Sequence, residues 1–141
     1  MRTKNLKNVT VVVAVVFLLA AALVAVIRIP RGDVLEHPHF KEHIAPVFQN
    51  NCTMSGCHDA SGTAGLVLLS EEAHSEIVNV QSLNEPEYML VKPGDADNSY
   101  IIIKLEGRQA VGVQMPHSRP PLNTETIQTI KNWINQGASQ H

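Results

Sequence analysis

The chain has 141 residues, of which 44% are hydrophobic, 17% are charged and only two are cysteine. This composition is too apolar for a disordered protein and too poor in cysteine for a disulfide-rich scaffold. The formal charge of −2 is unevenly distributed, because all 13 acidic residues lie from Asp33 onward, together with only six of the 11 basic ones. That part of the chain carries a formal charge of −7, which excludes a nucleic-acid-binding function and favours partners with a basic surface.

The N-terminal segment has the pattern of a membrane anchor. Three basic residues precede an apolar run over residues 9–27. As a helix, this run would be about 28 Å long, which matches the thickness of the hydrocarbon core of a bilayer. The basic flank predicts a cytoplasmic N-terminus, with the remaining chain on the periplasmic or extracytoplasmic side of the cell membrane. We therefore expect residues 1–31 to be a single-pass signal anchor. A cleaved signal peptide, with small residues at Ala20–Ala22 near the cleavage site, is the alternative.

The next residues predict a linker and the start of a helical domain. Residues 32–39 are assigned to the linker and residues 40–141 to the domain. Apolar residues recur at i, i+4, i+7 and i+8 from Phe40 to Phe48, which predicts one face of a short helix. Pro46 is expected to kink or restart that helix. Residues 52–65 are rich in Ser, Gly, Thr and Asp and are predicted to form a loop.

The middle of the chain predicts two short helices separated by irregular segments. A serine cap with two glutamates behind it predicts a helix over residues 70–78. A second serine cap predicts a helix over residues 99–105, although its β-branched residues leave a strand open. Residues 79–98 and 106–123 contain several Pro and Gly residues and are expected to be mostly irregular, the latter as an extended loop.

The clearest predicted helix is the last one. It begins after a cap at Asn123 or Thr124 and ends at Gly137. Its buried stripe is predicted to contain Ile127, Ile130 and Ile134, with Trp133 beside it. No convincing strand pair is present, so the fold class is predicted to be all-α, with a thin core that a bound group at its centre would stabilise.

Two cysteines followed by a histidine carry the main chemical signal. Cys52 and Cys57 are separated by four residues and His58 follows directly, a pattern typical of covalent haem attachment. Each thiol forms a thioether with one haem vinyl group, and the imidazole is the proximal iron ligand. The usual spacing is two residues, so the longer loop has to bulge, for which Gly56 is suited. A Cys52–Cys57 disulfide and a zinc or copper site remain open alternatives.

The order of motifs resembles that of small monohaem c-type cytochromes with a planctomycete-type cytochrome c domain, over residues 40–138. The matching segments are Ile44–Phe48 (Ile-x-Pro-x-Phe), Asn51–His58 (Asn-Cys…Cys-His), Gly65–Ser70 (Gly-Leu-x-Leu-Ser with one extra residue), Val91–Gly94 with Ser99–Tyr100, Met115–Pro116, and Ile130–Ala138 (Ile-x-x-Trp-Ile-x-x-Gly-Ala). Two features depart from the family pattern. Four residues separate the cysteines, and His117 stands where the family usually has a second proline.

The resemblance implies a cytochrome c-like fold and one covalently bound haem c. It implies Met115 as the distal iron ligand, with His117 as the alternative, and the proline-rich loop around Met115 is long enough to reach the far side of the haem. The chain would then be a one-electron carrier, without enzymatic activity or a small-molecule substrate, for membrane-bound redox proteins with a basic docking surface. The alternatives are a haem-based sensor or redox-enzyme subunit in which Met115 is displaceable, and a haem-free metal-handling protein.

Several supporting roles are also predicted. A backbone carbonyl within residues 62–66 is expected to accept the Nδ1 hydrogen of His58. Donors to the haem propionates are expected among Tyr100, Lys104, Arg108, Arg119 and the indole of Trp133; Trp133 packing near Phe48 is the alternative. His74 is expected to be a solvated surface residue, Met54 and Met89 packing residues, and Glu85 part of the acidic surface.

Overall fold

The computed structural model describes residues 33–62, 65–69 and 72–141. The chain divides into two compact units, Met1–Arg31 and Gly32–His141, and the predicted anchor over residues 9–27 lies outside the described residues. Every regular element in the described ranges is a helix, and β-structure there is limited to three isolated bridges between residues 78 and 99. The predicted all-α class is therefore confirmed for this part of the chain. No helix within these ranges has the length and apolar character needed to span a membrane.

The first two helices follow each other directly along the chain but differ in type, a π-helix and then an α-helix that begins one residue before the proline. Helix α1 (Phe40–Ile44) is a π-helical turn, and helix α2 (Ala45–Asn51) follows directly, with Pro46 in its first turn. Proline is tolerated there because its missing N–H has no intrahelical acceptor. Phe40, Ile44 and Phe48 are buried, so both the predicted apolar face and the restart at Pro46 are confirmed.

Helix α3 is shorter than predicted. It spans Ala73–Ile77 with Glu72 at the N-cap, whereas the predicted cap, Ser70, lies outside the described residues. Its C-terminal end before Val78 agrees with the prediction.

Helix α4 spans Tyr100–Glu106, which confirms the helical alternative over the strand. Ser99 occupies its N-cap position but caps no helical N–H group with its side chain. The Ser99 hydroxyl instead accepts from the Lys92 N–H and donates to the Asp95 carbonyl. The loop that follows α4 is irregular as far as Asn123, as predicted.

Helix α5 (Thr124–Asn135) agrees with the prediction at both ends. The Asn123 side chain accepts a 2.7 Å hydrogen bond from the Thr126 N–H, and Gly137 takes a φ of +101° just beyond the end of the helix. Ile130, Trp133 and Ile134 are buried, whereas Ile127 is half-buried.

The core forms where α5 packs on α1. The ring centroids of Phe40 and Trp133 lie 5.3 Å apart, and those of Phe40 and Phe48 lie 6.4 Å apart. The Trp133 indole N–H donates to the Ser139 carbonyl at 2.8 Å, so Trp133 takes its packing role and its donor is already used. This hydrogen bond favours the packing alternative over the role as a propionate donor, which stays a prediction.

His74 belongs to this core and is not a solvated surface residue, so that prediction is wrong. Its ring is half-buried and meets the Phe40 ring edge-on at a centroid distance of 5.1 Å. Its Nε2 atom lies 2.8 Å from the Ala138 carbonyl oxygen. The neighbouring Glu72 and Glu76 are exposed, which is why this short stretch reads as a polar surface in the sequence.

Part of the predicted linker contacts helix α5. The Leu35 N–H donates to the Thr129 hydroxyl at 3.2 Å, and the Asn132 amide donates to the Leu35 carbonyl at 2.8 Å. The Gln136 amide also donates to the Glu36 carbonyl. The residues around Leu35 are therefore held against the domain, which shortens the segment that can act as a tether.

Candidate haem-attachment site

The loop after α2 folds back on itself and brings the two cysteines and the histidine together. The Cys52 N–H closes the last helical turn on the Phe48 carbonyl at 2.7 Å. The Cys57 N–H then donates to the Met54 carbonyl at 2.8 Å, and the His58 N–H donates to the Cys52 carbonyl at 3.0 Å. These bonds make the four residues between the cysteines a compact turn.

Gly56 and Asp59 stabilise this turn. Gly56 has a φ of +80°, a conformation that favours glycine, as the sequence predicts for a bulged loop. The Asp59 carboxylate accepts from the Ser61 hydroxyl, and also from the N–H groups of Ser61 at 3.0 Å and Gly56 at 3.2 Å. These hydrogen bonds, led by that from the Ser61 hydroxyl, lower the pKa of Asp59. Sequence reasoning missed Asp59, although an Asp two residues before a Ser in a turn is a recognisable local signal.

His58 has one ring nitrogen engaged by the backbone. Its Nδ1 atom lies 3.1 Å from the Leu66 carbonyl oxygen, within the segment predicted to supply this acceptor. Because a carbonyl oxygen can only accept, Nδ1 carries a hydrogen, and in the neutral form of the ring Nε2 carries the lone pair. A second hydrogen bond runs from the Leu68 N–H to the His58 carbonyl at 2.9 Å. It holds the His58 backbone against the segment that contains Leu66. The backbone thus holds the imidazole through Nδ1, and Nε2 is the ring nitrogen that a metal ion could approach.

Both cysteines are half-buried free thiols. Burial, and to a lesser degree the adjacent Cys57, raise the pKa of Cys52 to about 11 against the opposing effect of the Arg119 guanidinium. Cys52 is therefore a protonated thiol at neutral pH.

The structure places the two candidate distal ligands in different environments. Met115 is half-buried against the hydrophobic core, and its N–H donates to the Lys104 carbonyl at 2.9 Å. His117 is exposed. Of the two, Met115 is the side chain that already faces apolar surroundings.

Arg119 connects the loop that carries Met115 to the loop that carries the cysteines. Its guanidinium donates to the Asn50 carbonyl at 3.3 Å and contacts the Met54 sulfur at 2.8 Å. A cavity of about 500 Å³ lies beside this contact, and one of about 350 Å³ lies on the other side of Leu122. Neither of these two cavities is lined by the cysteines, His58 or Met115, so neither is assigned as the haem cavity.

The residues around the site fit a haem in their chemistry. The predicted donor set comprises the thiols of Cys52 and Cys57, the His58 imidazole held through Nδ1, and the thioether of Met115, which lies on the loop after α4. Nine partly exposed apolar side chains of the described residues pack on the core, and Cys52, Leu66 and Met115 are among them.

The predicted propionate donors all have other partners in the structure, and one of them, Arg119, contacts the cysteine loop. The Tyr100 hydroxyl donates to Glu85, and the Arg108 guanidinium donates to Glu106 and to the Asp97 carbonyl. The Lys104 ammonium lies 5.9 Å from the Tyr100 ring centroid. Arg119 is the candidate that contacts the cysteine loop.

Three further predictions about individual residues are wrong. Met54 and Met89 are 52% and 39% exposed, so they are not core packing residues. Glu85 is only 7% exposed and does not belong to the acidic surface. Its carboxylate lies in a hydrogen-bonded network that no local sequence pattern indicated.

A multi-ligand metal site was one alternative interpretation of the cysteines and histidine. Among residues 33–62, 65–69 and 72–141, no group of three or more His, Cys, Asp or Glu side chains is arranged to hold a metal ion. A haem iron requires no such cluster, because the porphyrin supplies four of its ligands and the protein one or two.

Comparison with known protein families, with curated proteins and with solved structures gives no match for this chain. The cytochrome resemblance therefore rests on the sequence motifs alone and stays a prediction.

Proposed function

We propose that this chain is a membrane-anchored monohaem c-type cytochrome that carries one electron at a time between extracytoplasmic redox partners. The observation that supports this most directly is the turn between α2 and Leu66. It brings two free thiols beside an imidazole whose Nδ1 contacts the Leu66 carbonyl. This arrangement leaves Nε2 available as an axial ligand.

The proposal gives each site residue a distinct role. Cys52 and Cys57 each add a thiol to one vinyl group, so that a carbon–sulfur bond forms and the thiol hydrogen moves to the neighbouring carbon. His58 binds the iron through Nε2, and Met115 through its sulfur, with His117 as the alternative. The bound haem supplies the one-electron Fe(III)/Fe(II) couple, and a thioether ligand raises its potential.

With both axial positions filled by protein, the chain would act as an electron carrier and would have neither an open substrate site nor enzymatic activity. In the proposed topology, residues 9–27 hold the domain at the outer face of the cell membrane. This anchoring raises its effective concentration at membrane-bound partners. The acidic surface would favour partners with a basic docking patch.

Ligand substitution tests the proposed iron coordination. The oxidised protein is expected to show the weak long-wavelength charge-transfer band of a sulfur–Fe(III) bond. Met115→Ala should abolish this band, open the reduced iron to CO and lower the potential, whereas His117→Ala should leave all three unchanged. If His117→Ala changes the spectrum and Met115→Ala does not, ligation is by two histidines. If the unaltered protein binds CO rapidly, the haem-sensor or enzyme-subunit alternative is correct.

A further inference from the structure

Glu85 is a buried carboxylate that accepts hydrogen bonds from three directions. Its side-chain Oε1 accepts from the Ala110 N–H at 3.0 Å, the Val111 N–H at 3.1 Å and the Tyr100 hydroxyl at 3.1 Å. Its own N–H donates to the Ser82 hydroxyl at 3.3 Å. A buried charge is costly unless hydrogen-bonded, so these donors explain how the carboxylate is accommodated.

The environment of Tyr100 strengthens this network. The Tyr100 ring stacks on the Tyr88 ring at a centroid distance of 6.1 Å. Burial, together with the hydrogen bond to Glu85, raises the pKa of Tyr100 to about 12. The hydroxyl therefore remains a donor over the whole physiological pH range. Hydrogen bonds to an ionised acceptor are stronger than those between neutral groups.

The two amides held by Glu85 belong to the loop that leads to Met115. This loop leaves α4 at Gly107, where φ is +73°. The loop comes back to α4 at two hydrogen bonds. The side-chain amide of Gln114 donates to the Leu105 carbonyl at 2.8 Å, and the Met115 N–H donates to the Lys104 carbonyl at 2.9 Å. Residues 107–115 are thus fixed at their base by α4 and near their middle by Glu85.

Side-chain burial contributes little to holding the middle of this loop. Val111 and Val113 are 51% and 48% exposed, so their hydrophobic contribution is small. The loop's conformation depends instead on its hydrogen bonds. Glu85 supplies two of them from a segment more than 20 residues earlier in the chain.

We propose that Glu85 is a positioning residue that holds loop 107–115 in the conformation presenting Met115 to the iron. The inference rests on the proposed haem-binding function. Its physical basis is that a free loop samples many arrangements, whereas a carboxylate that accepts from two successive amides permits few of them. Glu85 itself touches neither the iron nor its ligands in this scheme.

Three variants of the haem-loaded full-length chain test this proposal. Glu85→Ala removes both loop bonds and should weaken the sulfur–Fe(III) band. It should also raise the apparent affinity of the oxidised protein for imidazole by about thirtyfold, as expected when hydrogen bonds to a charged acceptor are lost. Glu85→Gln keeps a carbonyl acceptor and should restore most of the band. Tyr100→Phe removes the third bond but leaves both amide bonds, so its band and imidazole affinity should stay close to those of the unaltered protein.

Hydrogen exchange supplies a readout that does not require haem. In the full-length chain, Glu85→Ala should speed amide exchange at Ala110 and Val111, whereas Glu87→Ala, at an exposed carboxylate two residues away, should not. Equal amide exchange rates at Ala110 and Val111 in the two variants would overturn the proposal. It would also be overturned if Glu85→Ala left the sulfur–Fe(III) band unchanged, or if Tyr100→Phe weakened this band as much as Glu85→Ala does. If the chain carries no haem, the proposed function fails, yet the exchange comparison still tests whether Glu85 holds the loop.

Discussion

Truncation of Phe40 is expected to destabilise the domain severely, because its ring joins three elements. It is fully buried, and its centroid lies 5.3 Å from that of Trp133 and 5.1 Å from that of His74. A buried Phe→Ala substitution costs about 3–5 kcal/mol in free energy of unfolding. Since about 1 kcal/mol shifts the melting temperature of a domain of this size by roughly 4–8 °C, Phe40→Ala should lower it by roughly 12–40 °C.

Thermal unfolding followed by far-ultraviolet circular dichroism measures this effect. Phe40→Leu keeps most of the apolar volume and should cost less than half as much. Leu83→Ala is the matched control for loss of a large apolar side chain at the surface, because Leu83 is 84% exposed, and it should change stability by less than about 0.5 kcal/mol. If Phe40→Ala melts within a few degrees of the Leu83→Ala variant, the packing of α1 on α5 described above is incorrect.

The remaining predictions concern Tyr100, His74 and the acidic surface. The pKa of Tyr100 is raised to about 12 by burial and by Glu85. The contribution of protonated Tyr100 to the free energy of unfolding is therefore complete below pH 10 and is lost between pH 10 and about 12. In urea unfolding measured against pH, Tyr100→Phe should remove this loss of stability. His74→Ala should lower the free energy of unfolding by about 1–3 kcal/mol in the same assay, since it removes the contact with Phe40 and leaves the Ala138 carbonyl without its partner. A change below about 0.5 kcal/mol would indicate that His74 is a solvated surface residue after all. If the chain is an electron carrier, electron transfer to its redox partner, measured by stopped-flow kinetics, should slow as the salt concentration rises. Charge reversal of the exposed Glu72 and Glu76 to Lys should weaken this salt dependence. A transfer rate that does not depend on salt would show that the acidic surface serves solubility and not partner binding.

The helices could be predicted because their signals are local. Pro46 marks the start of α2, and Asn123 caps α5 with its own side chain. The acceptor for His58 could be narrowed to five residues because its partner, Leu66, follows only eight positions later. In each case, the residues that decide the structure lie within one or two turns of chain.

The wrong assignments of His74 and Glu85 have the opposite property. His74 is half-buried and contacts Phe40 and Ala138, of which Ala138 lies 64 positions away. Glu85 was assigned to the surface because it stands in an acidic stretch, but its donors lie 15 to 26 positions further along the chain. No local periodicity encodes such contacts, since they depend on how the irregular segments fold over the helices.

The haem-attachment claim is tested most directly by the intact mass of the full-length chain, purified from membranes of cells that attach haem outside the cytoplasm. The intact mass is expected to exceed the polypeptide mass by one haem. Acid–acetone should fail to extract this haem, and a pyridine haemochrome spectrum should identify it as thioether-linked. A chain with the polypeptide mass alone, or with Cys52 and Cys57 joined in a disulfide, would contradict the assignment of both cysteines and of His58.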